Sequence, residues 1–302
     1  MKPCISTSFN RLWGGKQPPS LIFAASEYLV MKKIIAIILI LVLLSSVVLY
    51  TVFKKPAASN TVSEVKTDYV APAALTYSID STYPHDTSSF TQGLVVYDGK
   101  MYEGTGENGF SKLMMVDIKT GKAEKEVKLE DKYFGEGIAI LHDTIFQLTW
   151  QNNVVFAYSR KDFKKIKEYH INTEGWGITT DGKNLIVSDG SSNLYFYEPS
   201  SFRLLHTQSV TDAGTLAYNM NELEYIDGFV YANQWQLPYI FKINPSNGEV
   251  VAKINLTELW NRVKEKDQHA DVPNGIAFDS TSKKIYITGK RWPELYEIQF
   301  SK

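Results

Sequence analysis

Two kinds of hydrophobic pattern divide this chain of 302 residues. Near the N-terminus, residues 34–53 form an apolar run that is interrupted only by small polar residues. From Leu75 onward the apolar residues fall instead in short segments of about four to seven, separated by Gly, Asp, Asn and Thr-Gly turns. The first pattern predicts one hydrophobic helix, and the second predicts an all-β domain.

The apolar run is long enough to cross a membrane as a helix. At about 1.5 Å per residue, the 20 residues between Lys33 and Lys54 reach roughly 30 Å, the thickness of a bilayer core. Met31 and the lysine pair after it resemble a translation start with a positive flank, so residues 1–30 are interpreted as a doubtful leader from an upstream start. Residues 31–53 are then a signal anchor or signal peptide, which exports the following domain to the periplasmic or extracytoplasmic side.

A linker and then a repeat follow the apolar run. Residues 54–75 are rich in Ala, Ser, Thr, Pro and Lys without periodicity, which predicts a flexible linker. Beyond it, a pattern of four short strands returns at intervals of roughly 40 to 52 residues, the period of a propeller blade. The five copies begin near Gly93, Gly135, Glu174, Asn221 and Asn274. The repeat therefore predicts a five-bladed β-propeller.

The last repeat is one strand short. Residues 76–80 form a predicted strand before the first repeat, so we expect this N-terminal strand to complete the last blade and close the ring. This closure favours a propeller that extends from residue 76 to residue 302. A β-sandwich with a comparable number of strands is the alternative. Residues 256–266 are predicted to form a short helix between the fourth and fifth blades.

Charge and cysteine content limit the classes of function. The formal net charge is −1, so no long-range field attracts nucleic acid, and a peptide or small ligand is the expected partner. The one cysteine, Cys4, lies in the leader, so the β domain has neither a disulfide nor thiol chemistry. We expect a monomer that is stabilised by its core.

Polar and aromatic side chains recur at the start of each repeat. In a propeller the first strand of every blade lines the axis, so equivalent positions of distant repeats converge. The glycines found there are explained by strand crowding alone, but the chemically diverse side chains beside them point to a site. These side chains are Phe90, Gln92, Phe134, Glu136, Trp176 and Asn221, and a second ring at the ends of the second strands holds Trp150, Trp235 and Lys290.

These segments resemble the plant and bacterial glutaminyl-peptide cyclotransferases, five-bladed propeller enzymes that convert an N-terminal glutamine to pyroglutamate with loss of ammonia. The resemblance covers residues 77–300 and none of the leader. Its most specific pieces are Phe90-Thr91-Gln92-Gly93-Leu94, Tyr102-Glu103-Gly104-Thr105-Gly106, Phe134-Gly135-Glu136-Gly137, Leu148-Thr149-Trp150, Glu174-Gly175-Trp176-Gly177, Asn221-Glu222-Leu223-Glu224-Tyr225 and Ile287-Thr288-Gly289-Lys290.

The resemblance implies roles for individual residues. The catalytic glutamate of the family falls on Glu136, and the polar members fall on Gln92, Asn221 and Lys290. The aromatic pocket falls on Phe90, Phe134, Trp150, Trp176 and Trp235. Some members of the family hold calcium, but the turn aspartates Asp98, Asp117, Asp181 and Asp279 are interpreted as turn formers, and neither a metal nor a cofactor is assigned.

The implied chemistry needs one proton carrier, because the α-amine of the substrate is itself the nucleophile. We expect Glu136 to carry that proton, with a pKa raised by its aromatic surroundings. Lys290 and Asn221 are expected to stabilise the amide oxygen, and Gln92 to orient the amine or the first peptide carbonyl.

The sequence leaves two rival functions open. One is a non-catalytic envelope propeller that binds peptide termini in the same channel. The other is a metal-dependent, lactonase-like propeller, which would require several acidic and Asn ligands on the axis, where Glu222 and Glu224 have no predicted direction. In the preferred interpretation the partners are peptides or proteins with an N-terminal glutamine, and a membrane bound through residues 34–53.

Overall fold

Residues 21–53 and 70–301 are described by a computed structural model of this protein, with side chains for residues 28–51 and 70–301. The chain divides into two units, Met1–Lys66 and Thr67–Lys302. Residues 1–20 of the predicted leader and residues 54–69 of the predicted linker lie outside the described residues.

The N-terminal unit contains one long helix, α1 (Leu21–Phe53). It begins ten residues before the predicted start at Met31, so part of the predicted leader is helical. The segment Tyr28–Thr51 is long and apolar enough to cross a membrane. Inside it, the hydroxyl of Ser45 donates to the Val42 carbonyl at 2.8 Å, and the hydroxyls of Ser46 and Thr51 make equivalent bonds. The polar interruptions are therefore satisfied within the helix, as an apolar surrounding requires.

The second unit is built almost wholly of antiparallel sheets. β1 (Ala73–Pro84) precedes three sheets of four strands each. They are β2 (Thr91–Tyr97), β3 (Lys100–Thr105), β4 (Lys112–Asp117) and β5 (Lys122–Lys128); β6 (Gly135–Leu141), β7 (Thr144–Thr149), β8 (Val154–Ser159) and β9 (Lys165–His170); and β10 (Ile178–Thr180), β11 (Leu185–Ser188), β12 (Asn193–Glu198) and β13 (Arg203–Ser209).

A small hairpin and a larger sheet complete the unit. The hairpin is β14 (Thr211–Asp212) with β15 (Thr215–Leu216). Next come β16 (Met220–Ile226), β17 (Phe229–Gln234), β18 (Tyr239–Ile243), β19 (Val250–Asn255), α2 (Thr257–Lys266), β20 (Pro273–Asp279), β21 (Lys284–Gly289) and β22 (Glu294–Ser301). These strands and β1 form an eight-stranded sheet in the order β16, β17, β18, β19, β1, β22, β21, β20.

The tight hairpins have a direct sequence cause. Asp98 and Gly99 join β2 to β3 with φ values of 51° and 69°, and Asp227 and Gly228 join β16 to β17 with φ values of 46° and 89°. Two consecutive positive φ angles define the turn that matches the twist of a two-residue hairpin, and Asp-Gly is a favoured pair for it.

The N-terminal strand closes the sheet as predicted. β1 pairs antiparallel with β22 from Thr76 opposite Ser301 to Pro84 opposite Glu294. It also pairs in parallel with β19 through residues 73–75, which were assigned to the linker. The linker prediction is thus three residues too long at its C-terminal end, because the edge of β19 orders residues whose own composition has no strand pattern.

Neighbouring sheets meet through their first strands. These strands contact one another in a closed order: β2 with β6, β6 with β10, β10 with β16, β16 with β20, and β20 with β2. Glycine allows the close approach, since a Cβ on Gly93 would lie 2.4 Å from the Ile138 nitrogen, and one on Gly177 would lie 2.0 Å from the Asn221 carbonyl oxygen. Crowding of the strands therefore explains these glycines, as expected from the sequence.

Outside this ring of strands, apolar layers fill the space between sheets. Phe146 and Leu148 of β7 pack in one buried cluster with Leu185, Tyr197 and Phe202 of the next sheet. The helix predicted over residues 256–266 is α2, whose buried Leu259 and Val263 pack against the eight-stranded sheet.

Closure by β1 predicts that a cross-strand disulfide will stabilise the domain. The hydroxyls of Thr76 and Ser301 are 2.6 Å apart on paired strands, so Thr76→Cys with Ser301→Cys should oxidise readily. A bond that closes so long a loop is expected to add about 2–4 kcal/mol to the free energy of unfolding, or roughly 5–10 °C in melting temperature. Thermal unfolding with and without reductant is the measurement, and each single cysteine variant is a control. Equal stability of the oxidised and reduced forms would contradict the prediction that linking β1 to β22 stabilises the domain.

Candidate active site

All nine side chains that the sequence analysis selected line one cavity of about 260 Å³. Six of them lie in the first strand of a repeat or in the loop just before it: Phe90, Gln92, Phe134, Glu136, Trp176 and Asn221. The other three directly follow the second strand of a repeat: Trp150, Trp235 and Lys290. Residues separated by up to 200 positions in the chain are thus brought to one place by the order of the sheets.

β-Bulges recur where the first and second strands pair, and they direct the polar side chains into this cavity. The pairing of first and second strands shifts register between Thr91 and Gly93, between Gly135 and Ile138, between Met220 and Leu223, and between Pro273 and Ile276. A β-bulge frees a residue from the ladder and changes the direction of its side chain. Gln92, Glu136 and Asn221 all lie within such bulges.

Glu136 is the carboxylate at the centre of the site. It is 5% exposed, and its Oε1 accepts a hydrogen bond from Gln92 Nε2 at 3.2 Å. Gln92 is oriented in turn, because its Oε1 accepts from Asn274 Nδ2 at 3.2 Å. Burial raises the pKa of Glu136 well above its usual range; the positive charge of Lys290 opposes the shift, and the negative charge of Glu174 adds to it.

Lys290 supplies the positive charge of the cavity. It is 4% exposed, and its ammonium lies 4.7 Å from the centre of the Phe90 ring. Burial lowers the pKa of Lys290, while Glu136 and Asp271 act against that shift. Burial alone thus favours the neutral form of both groups. The charge on Lys290 favours ionised Glu136, and the charge on Glu136 favours protonated Lys290.

Aromatic rings form the remaining walls. Phe134 makes edge contacts with Phe90 and with Trp150, at ring centroid distances of 6.1 and 5.6 Å. Trp176 and Trp235 meet edge to face at 5.4 Å. Asn221 is buried among them, and its Oδ1 has no hydrogen-bond partner within the described part of the chain. The cavity therefore combines a carboxylate, an ammonium and several π faces.

Comparison with known proteins identifies the family of this chain. The family model of glutamine cyclotransferases matches residues 47–300. A glutaminyl-peptide cyclotransferase from Arabidopsis thaliana is 41% identical over 227 residues, which cover 72% of this chain and 69% of that relative. The chain belongs to the glutamine cyclotransferase family. The resemblance seen in the sequence is confirmed.

A solved member of the glutamine cyclotransferase family has the same fold. The crystal structure of glutaminyl cyclase from Myxococcus xanthus matches with a TM-score of 0.72 and 32% identity, over 76% of this chain and 98% of that chain. The predicted all-β fold behind an apolar N-terminal helix is confirmed.

Glu174 is a functional residue that the sequence analysis did not select. Its Oε2 accepts hydrogen bonds from the indole nitrogens of Trp150 at 2.8 Å and of Trp176 at 3.0 Å. One carboxylate thus holds two walls of the cavity of this glutamine cyclotransferase, and its charge also acts on Glu136. The available signal was its place in the segment Glu174-Gly175-Trp176-Gly177, but the sequence did not show that its partners would be tryptophans.

A buried pair holds the turn that carries Lys290. His85 Nδ1 lies 2.7 Å from the Trp292 carbonyl oxygen, and its Nε2 lies 3.1 Å from Glu103 Oε1. With both ring nitrogens facing oxygen atoms, the site favours the doubly protonated form of His85, which donates from both nitrogens. Thr91 also donates to Glu103 at 2.7 Å. The segment containing Glu103 was recognised in the sequence, but its role was not.

Glu222 and Glu224 point away from the cavity toward backbone amides. Glu222 accepts from Leu94 N at 3.2 Å and Ile276 N at 2.8 Å, and Glu224 accepts from Phe278 N at 2.8 Å. They tie β16 to β2 and β20. Burial raises the pKa of Glu222 well above its usual range and that of Glu224 to about 8.

The acidic residues at turns have local partners. Asp117, Asp181 and Asp279 accept hydrogen bonds from backbone amides two or three residues on. Across residues 28–51 and 70–301, no three His, Cys, Asp or Glu side chains group in a way that could hold a metal ion.

Removal of Glu174 is expected to loosen the aromatic wall. In Glu174→Ala the indole N–H groups of Trp150 and Trp176 lose their shared acceptor, so tryptophan emission should shift to the red and the near-ultraviolet circular dichroism should weaken. Glu174→Gln keeps one acceptor oxygen and should lie between Glu174→Ala and the wild type. Glu265→Ala, on an exposed position of α2, is the control. Spectra identical to the wild type would contradict the role given to Glu174.

Ionisation of His85 predicts a pH-dependent stability. Burial lowers the pKa of His85, but the charge and hydrogen bond of Glu103, the Trp292 carbonyl and the charge of Asp86 together raise it above its usual value of 6.5. Because the folded pKa exceeds the unfolded one, this stabilisation is fully present below about pH 6.5 and is lost as the pH rises through the folded pKa.

Urea unfolding of the wild type and His85→Gln from about pH 6 to about pH 9 tests this sign. The difference in free energy of unfolding between the two chains should shrink with rising pH, by at most about 1.4 kcal/mol per pH unit for one proton. Other titrating groups, Glu224 among them, contribute to both chains alike. A pH-independent difference would show that His85 is neutral.

Proposed function

We propose that this chain is a glutaminyl-peptide cyclotransferase, an aminoacyltransferase that cyclises the N-terminal glutamine of peptides and proteins to pyroglutamate and releases ammonia. One observation carries the proposal. In a member of the glutamine cyclotransferase family, one buried carboxylate, one buried ammonium and five aromatic rings from distant repeats line the same small cavity. The relatives named above carry that activity in their names.

The architecture we propose is a five-bladed β-propeller. The closed order of contacts among β2, β6, β10, β16 and β20 supports five blades around one axis. In this arrangement β1 is the outer strand of the last blade, next to β22. Its parallel contact with β19 then joins the fourth blade to the fifth, which accounts for the eight-stranded sheet.

Glu136 is proposed as the proton carrier. Its ionised form takes a proton from the α-ammonium of the substrate, whose pKa is near ~7.7–8.0. The free amine attacks the side-chain carbonyl carbon, and a C–N bond forms. The protonated Glu136 then donates to the amide nitrogen, the carbonyl re-forms as the original C–N bond breaks, and ammonia leaves. The new ring nitrogen gives its surplus proton to the ionised Glu136, and ammonia takes that proton away as ammonium. The raised pKa of Glu136 suits both steps, because the group must accept and release a proton near neutral pH.

Lys290 and Asn221 are proposed to stabilise the negative charge that develops on the carbonyl oxygen. Both are buried and line the cavity, where donors act more strongly than they do in water. Asn221 would act through its Nδ2, which is the donor of its side-chain amide. Gln92 is held by Asn274 with its amide directed at Glu136, and it is proposed to orient the amine.

The tryptophans are proposed to fold the glutamine side chain back onto its own amine. Their faces attract the ammonium and exclude water, which would otherwise hydrolyse the amide to glutamate. The cavity is about 260 Å³, below the usual range for drug-sized ligands, so it is suited to one terminal residue.

The apolar helix is proposed to place the enzyme outside the cytoplasm. Residues 34–53 cross or enter the membrane, and the lysine pair at 32–33 stays on the cytoplasmic side. The substrates would then be exported peptides and proteins.

The central test is Glu136→Gln. This nearly isosteric change removes the proton carrier, so ammonia release from a glutamine-led peptide should fall by about 10²-fold or more. The melting temperature should not fall, because a buried carboxylate with little solvation is replaced by a neutral amide. Coupled detection of ammonia and thermal unfolding are the measurements, with the exposed Glu265→Gln as control.

Two results would contradict the proposal. Turnover by Glu136→Gln at the wild-type rate would remove Glu136 from the chemistry. Saturable binding of the peptide by the wild type without any ammonia would instead support the non-catalytic propeller.

A further inference from the structure

A second, larger cavity lies beside the candidate active site. It has a volume of about 630 Å³ and opens between the β3–β4 loop, the segment that leads into β2 and the turn after β21. Its walls include Ser89, Glu107, Phe110, Lys112 and Arg291. We call this cavity the side groove.

Phe90 lies next to both cavities, because it lines the active-site cavity and directly follows Ser89, which lines the side groove. Phe90 lines the active-site cavity, with Lys290 above its ring and the Arg291 guanidinium carbon 5.7 Å from its centre. The β3–β4 loop also touches the aromatic wall, because a Cβ on Gly106 would lie 2.4 Å from the Phe134 ring. Lining residues of the two cavities are consecutive in the chain at Ser89 and Phe90 and again at Lys290 and Arg291, so a peptide that leaves the active-site cavity past Phe90 enters the side groove next.

The side groove has an unusual polar pair at its border. Arg291 donates to Glu107 at 2.5 Å, and both residues have left-handed backbone, with φ values of 59° and 79°. Such angles are costly for residues with a side chain and persist where the surroundings fix them. Here the Arg291 amide donates to the Ser89 carbonyl at 2.7 Å, and Glu107 accepts at its carbonyl from two amides of its own loop. Two loops from different sheets are thereby fixed in position.

An apolar side chain completes the surface. Phe110 is 72% exposed at the tip of the β3–β4 loop, although nothing in the pairing of β3 and β4 requires an aromatic residue there. A groove with charged donors and acceptors for a peptide main chain and an exposed ring for a side chain has the chemistry of an extended-peptide site.

We propose that the side groove binds the second and third residues of the substrate, with an apolar side chain on Phe110 and the peptide main chain against the Arg291–Glu107 pair. This inference depends on the proposed function, because it assigns a place to the part of the peptide that does not react. It makes Phe110 and Arg291 specificity-determining residues. Binding energy gained there would favour longer substrates over a dipeptide.

The experiment compares kcat/KM for two substrates in the full-length protein. One is a glutamine-led dipeptide amide, and the other is a glutamine-led pentapeptide with phenylalanine at its third position. In the wild type the pentapeptide should be favoured by about tenfold or more. Phe110→Ser and Arg291→Gln should reduce this ratio by about five- to tenfold, mainly through KM of the pentapeptide. Phe110→Trp keeps an exposed ring and should retain the ratio.

Ile166→Ser is the matched control, since Ile166 is an exposed apolar residue on the outer strand β9, remote in sequence from the groove. Ammonia release from both substrates with the same ratio in the wild type, Phe110→Ser and Arg291→Gln would overturn the side-groove proposal while leaving the proposed function intact. Absence of ammonia from both substrates in the wild type would overturn both proposals. The ratio corrects for any general loss of folded protein, because both substrates are measured on the same sample.

Discussion

The close approach of the first strands is the constraint on which the remaining structure depends. Gly93 and Gly177 bring neighbouring strands so near that no side chain could stand between them. At this spacing, the bulges at the start of the strands turn Gln92, Glu136 and Asn221 toward one cavity rather than toward separate sheets. A larger residue at either glycine would push whole sheets apart, so the site and the core depend on the same contacts.

Buried ionisable residues have two different kinds of surroundings in this molecule. Glu222 is surrounded by backbone amides and ties three strands together, whereas Glu136 has one weak neutral donor and faces open cavity. The same residue type therefore serves structure in one place and is available for chemistry in the other. Lys290 is kept in range of Glu136 by a turn that His85 holds through the Trp292 carbonyl. At the cavity, a bound substrate would supply the polar partners that burial has removed from Glu136 and Lys290.

The sequence predicted the repeat, the closing strand and all nine cavity residues, because each leaves a local mark: a period, an unmatched strand or a distinctive segment. It did not predict the parallel contact of residues 73–75 with β19, since a strand from a preceding repeat orders them. Glu174 and His85 were missed for a similar reason. Their roles depend on partners far away in the chain or on the geometry of indole nitrogens, and neither leaves a pattern that can be seen before the sheets are assembled.

The two neighbouring cavities divide recognition in a physically sensible way. A glutamine residue that folds back on itself needs a tight, dry pocket, and the aromatic walls fixed by Glu174 supply one. The residues after it keep an extended main chain with polar groups that must remain solvated or bonded, which the open side groove with its charged pair permits. Because Phe90 lines the pocket and directly follows Ser89 of the groove, the position of its ring couples the pocket of the terminal glutamine to the groove for the second and third residues. The cations of Lys290 and Arg291, both within cation–π range of that ring, hold it in place.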